Sequence, residues 1–77
     1  MNLSVVILRY LLQLRLFENR CASVDDVASY LEALKLRANS VKKHIEKLVR
    51  EGLAEVRGNT ICAAESLRTV LTVAGDD

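Results

Sequence analysis

A polar start, an apolar seam and a glycine stop mark the stretch NSVKKHIEKLVREG, residues 39–52, as one helix. Asn39 or Ser40 can cap its first turn, because a short side-chain oxygen accepts a hydrogen bond from a free backbone N–H. Gly52 suits the left-handed position that ends a helix. Val41, Ile45, Leu48 and Val49 recur at helical spacing and share one side. At about 100° per residue, Lys43, Glu46, Lys47 and Arg50 project from the other side. Three of those four are basic. A helix held down by one face, with cations offered on the other, suits a DNA major groove. A plain solvated surface helix would carry the same pattern.

The rest of the chain bounds what this helix can serve. Seventy-seven residues make one small domain, 1–77, whose core is marginal when alone. A hydrophobic fraction of 51% is high for such a chain and implies apolar surface for a partner subunit. The net charge is only +1, yet residues 35–50 hold six bases and one acid, while the remainder holds five bases and nine acids. That polarity steers a polyanion to one face. Cys21 and Cys62 stand 41 positions apart without zinc-site spacing, so no metal or cofactor is expected. Nothing reads as a secretory signal, so the thiols are expected reduced and mostly buried, in a cytoplasmic protein associated with the nucleoid; a bridge between them stays open. Residues 3–17 are apolar but too short to span a bilayer, and Arg9, Gln13 and Arg15 interrupt them.

The pattern predicts helices over 3–17 and from Ser23 to about Leu34 or Lys35, ahead of the helix at 39–52. In the first, with Ser4 as a possible cap, Leu3, Val6, Ile7, Tyr10, Leu11, Leu14 and Phe17 form one stripe. Val5, Leu8, Leu12 and Leu16 form a second. One stripe serves the core, and the surplus one favours a dimer contact. Ser23 caps the second helix, with Asp25 and Asp26 in its first turn and Val24, Val27, Ala28, Leu31 and Leu34 facing inward. Leu36 plugs the core in a short turn, roughly 35–38, and the two helices form a helix-turn-helix pair. After Gly52 the period changes to two. Residues 53–57 and 60–63 read as strands around Gly58-Asn59, a type II′ hairpin. A last helix over 64–74 carries Leu67, Val70, Leu71 and Ala74 on one side.

Leu48-Val49-Arg50-Glu51-Gly52-Leu53 matches the pattern L-x-x-x-G-L, and the preceding Val27-Ala28-Ser29-Tyr30-Leu31 fits beside it. Over residues 23–63 the chain resembles the winged helix-turn-helix family of small dimeric transcriptional regulators. The resemblance implies a mainly α fold with a small β-hairpin. Its parts are a helix-turn-helix at about 23–52, a wing at about 53–63 and a fourth helix at 64–74. It also implies double-stranded DNA as partner, read by the helix at 40–51. By position, Asn39, Ser40, Lys42, Lys43, His44 and Lys47 line the recognition helix, and Ser40, Lys43 and His44 enter deepest toward base edges. Lys42, Lys47, Arg50 and Arg37 fall to phosphates, and Arg57 lies at the wing tip. A homodimer through helices 3–17 and 64–74 would present two such helices. The chain departs from the family in the nine residues between Leu31 and Val41, more than compact relatives have, and in a wing tip with one base.

Other residues carry alternatives. His44 can be a plain surface histidine, and Tyr10 and Tyr30 fit core or interface edges better than base-stacking platforms. Arg9 and Arg15 flank the dimer seam or keep the first helix soluble. Glu46 can pair with Lys42, Lys43 or Arg50, or accept a hydrogen bond from cytosine N4. Catalysis lacks materials: there is one histidine and no glycine-rich phosphate loop. The competing class is a winged helix used for protein contact, but lysines on the third helix argue against it, since interface centres are depleted in lysine.

Overall fold

The computed structural model describes residues 2–37 and 40–66. Helix α1 runs Leu3–Gln13 and is capped by Asn2, whose side-chain oxygen accepts from the Ser4 backbone N–H at 2.9 Å. Ser4, expected as the cap, is instead buried inside the first turn. The helix then widens into a π-helical turn, Leu14–Glu18, and stops at Asn19 in the left-handed conformation. An inserted residue shifts the phase of everything after it. Leu14 stays in the core, but Phe17, expected beside it, is 82% exposed.

Between the first two helices the chain forms a short strand. Residues Ala22–Ser23 form β1, and helix α2 follows at Val24–Ala33. Ser23 caps α2 as its sequence predicts. The Asp26 backbone N–H donates to Ser23 Oγ at 3.0 Å, and the Ser23 backbone N–H donates to the Asp26 carboxylate at 3.1 Å. This reciprocal box satisfies two donors that would otherwise lack partners. The end of α2 folds back: Leu36 N–H donates to Leu31 O and Lys35 N–H donates to Glu32 O, each at 2.9 Å. That is a Schellman motif, and it seats Leu36 against the core beside Leu31. Leu34, expected inside, is left 47% exposed. The next helix begins at Val41, directly after Ser40.

The Schellman geometry forces Lys35 to φ 62°, a conformation that opposes its Cβ. Lys35→Gly should therefore raise stability by about 0.5–1 kcal/mol, after allowing for glycine's looser unfolded state. A urea midpoint that rises at unchanged slope is the expected result; an unchanged or lower midpoint would show that Lys35 carries no strain.

Helix α3 spans Val41–Arg50, and Gly52 ends it at φ 77° with the same bond pattern, Leu53 N–H to Leu48 O and Gly52 N–H to Val49 O. Strands β2, Ala54–Arg57, and β3, Thr60–Ala63, form the predicted hairpin. Gly58 takes φ 62°, which the first corner of its turn requires. The sheet is antiparallel in the order β1-β3-β2, so β3 is central. Ala22 faces Ile61 and Ser23 faces Thr60 across β1 and β3. That register places Cys21 opposite Cys62, and the two are joined in a disulfide at a Cα separation of 4.7 Å. The expectation of two reduced thiols is thus corrected: a third strand, unseen in the sequence pattern, aligns them.

One core holds these parts together. Ile7, Leu11 and Leu14 meet Val27 and Leu31 of α2, Val41, Ile45 and Leu48 of α3, and Ile61 on the sheet. Each such side chain contributes about 1.5–3 kcal/mol by leaving water. Leu8 and Leu12, from the second stripe of α1, pack at its edge. Tyr10 and Tyr30 stack on each other, ring centroids 4.1 Å apart, and burial raises the Tyr10 hydroxyl above its ordinary pKa. Arg15 forms an ion pair with Glu65, where the chain turns helical again. The rest of the helix expected at 64–74, with Leu67, Val70, Leu71 and Ala74, lies outside the described residues. Among the described residues, the architecture is a small α+β fold with three helices and a three-stranded antiparallel sheet. Among the described residues, no helix is long and apolar enough to cross a membrane.

Candidate nucleic-acid interface

Sequence dictates which side of α3 stays wet. Val41, Ile45 and Leu48 are buried, and the turns between them carry Lys42, Lys43, Glu46, Lys47 and Arg50 outward, all exposed. Helical geometry sets Lys43 and Arg50 directly opposite the buried seam. Lys47 lies one step toward α1, and Lys42 and Glu46 one step toward the hairpin. Val49, expected on the inner face, sits at its border and is 36% exposed.

The helix is fixed from several directions. His44 is half-buried, and its Nδ1 lies 3.0 Å from Ser4 Oγ in a hydrogen bond whose direction follows the imidazole tautomer. This bond ties α3 to the first turn of α1. It also draws His44 away from the outermost face, so one ring nitrogen is engaged inside the fold. Ser40 begins the helix without a side-chain cap, and its residue is exposed. Its hydroxyl is therefore open to an outside partner. Asn39 lies outside the described residues. Arg37 is exposed ahead of the helix.

Between α3 and the hairpin lies an open groove of about 580 Å³. Its floor is apolar, from Val24, Ile45 and Ile61, and Asp25, Lys42 and Glu46 border it. The charges there are mixed. The pure cationic surface is the crest of α3, formed by Lys43, Lys47 and Arg50. Among the described residues, none of the ion pairs involves a cation of α3. Arg57 differs: its guanidinium lies 3.3 Å from the Glu55 carboxylate. The hairpin tip therefore offers a cation already partly neutralised.

Arg20 lies away from this surface, and its hydrogen bond to Glu18 holds its pKa above the ordinary value.

The structure thus brings Ser40, Lys42, Lys43, Lys47 and Arg50 together along one exposed helix and sets His44 at its inner edge. Two features escaped the sequence reading. The Ser4–His44 bond joins residues 40 positions apart, and no local pattern marks it. The mixed groove arises only once Asp25 and the hairpin fold beside α3. No protein-family model, curated protein or solved structure matches the chain.

Proposed function

We propose that this chain binds double-stranded DNA as a homodimeric winged-helix regulator, with α3 in the major groove. The observation that carries the reading is the row Lys43, Lys47 and Arg50, exposed and without an ion-pair partner among the described residues, on a helix whose opposite side is locked into the core. Cations not neutralised by the protein are available to release counterions from a duplex. The order helix, helix-turn-helix and hairpin agrees with the winged-helix pattern. Ser40 and Lys43 serve base edges, while Lys42, Lys47, Arg50 and Arg37 serve phosphates. Arg57, tied to Glu55, plays a lesser part.

Val5 in the first turn of α1, and Leu16 and Phe17 in the π-helical turn that follows it, are exposed apolar residues, and a second copy with its own residues 64–74 would cover them. Two copies would set their recognition helices about 34 Å apart, one turn of DNA. Titration of a duplex across salt concentrations tests the reading. Four or five neutralised phosphates give a log–log slope of about −4 per domain, and about twice that for the dimer. A slope near zero, or no binding in dilute buffer, overturns it.

One observation favours a second reading, a protein-binding module. Val56 is 57% exposed and flanks the mixed-charge groove. Capture of another polypeptide through that groove by a protein that ignores DNA would select this reading instead.

A further inference from the structure

Glu46 is the anomaly of α3. On a face offered to a polyanion, a carboxylate lowers affinity for every sequence. Neutralisation by neighbours would remove that cost. Arg50 stands four residues on, in the favoured acid-to-base order, and Lys42 and Lys43 stand within one turn. None of these pairs forms, and Glu46 is exposed. Glu46 borders the groove beside the hairpin, on the same side of the helix as Lys42.

We infer that Glu46 sets base preference by accepting a hydrogen bond from the N4 amino group of cytosine, an inference that rests on the DNA-binding reading above. Among major-groove edges, cytosine presents a donor without an adjacent acceptor. Guanine presents only acceptors. Adenine couples its amino donor to N7, which repels the second carboxylate oxygen. Thymine offers an acceptor and a methyl group. A carboxylate is therefore selective for cytosine and penalises the other bases. Lys42, one turn earlier on the same side, holds the flanking phosphate and keeps Glu46 in register.

The test is selection of bound duplexes from a random pool, with the wild-type protein and with Glu46→Gln and Glu46→Ala in parallel. Wild type should enrich cytosine at one position of each half-site by about tenfold. Glu46→Ala should lose that enrichment and Glu46→Gln should move it toward adenine, whose N6 and N7 an amide pairs with, while both hold bulk duplex as tightly or more tightly. Melting curves that match wild type show that the variants are folded. Unchanged cytosine enrichment in the variants, or none in wild type, overturns the inference. If neither wild type nor variant retains any duplex, the DNA-binding reading falls with it. Retention with an unchanged base preference sinks only the role of Glu46.

Discussion

Full reduction of the Cys21–Cys62 bridge is expected to lower the melting temperature by about 20 °C. The bond closes a 41-residue separation. Closing a span of that length removes unfolded-state entropy worth about 4 kcal/mol. For a domain of this size, 1 kcal/mol moves the melting point by about 4–8 °C. The whole stability of so small a fold is of similar order, about 5 kcal/mol. The bridge is thus comparable in size with the whole folding free energy. Cys62 is 1% exposed, so reduction must be carried out under denaturing conditions and verified as two free thiols per chain. Differential scanning of the refolded, reduced protein against the oxidised one supplies the measurement. Equal melting temperatures would mean that the bridge braces nothing. The location matters as much as the energy. The bond ties the residue before β1 to the central strand β3, so it fixes the hairpin relative to the start of α2.

The second large effect belongs to the surface. Lys43→Glu with Lys47→Glu should reduce duplex affinity by about a hundredfold or more in dilute buffer. Net charge falls from +1 to −3, since each reversal removes two units. Two phosphate contacts disappear, and two repulsions replace them. The salt slope should fall by about 2 per domain. Both side chains are exposed and, among the described residues, neither is ion-paired, so stability should change by only about 0.5 kcal/mol. Circular dichroism and sedimentation should match wild type. Affinity that survives in a folded double variant would move the interface off α3.

What the sequence reveals about this fold is whatever repeats locally. Helix α3 is legible because Val41, Ile45 and Leu48 alternate with lysines at helical spacing. The hairpin is legible because Gly58 supplies a turn that few residues can make. The Ser23 cap is legible because its partner, Asp26, lies three residues away. Long-range pairing leaves no such trace. Strand β1 is two residues long, too short for any periodicity, and exists because β3 accepts it. Missing that strand hides the reason Cys21 meets Cys62. Phe17 points outward because of a π-helical turn whose extra residue is invisible to a helical-period count. Lys35 adopts a glycine-like conformation because docking Leu36 demands it, against the residue's own preference. The site divides the same way. Its cations read directly from the sequence, while the Ser4–His44 tie and the groove beside Glu46 required the folded chain.

Backbone amide NMR during titration with a short duplex in dilute buffer puts the central claim to its most direct trial. The largest shifts should fall on Ser40, Lys43, Lys47 and Arg50, with smaller ones at Arg57 and Asn59. A spectrum that stays still, or moves only at Val5, Leu16 and Phe17, would contradict the assignment of α3 as the DNA-reading helix.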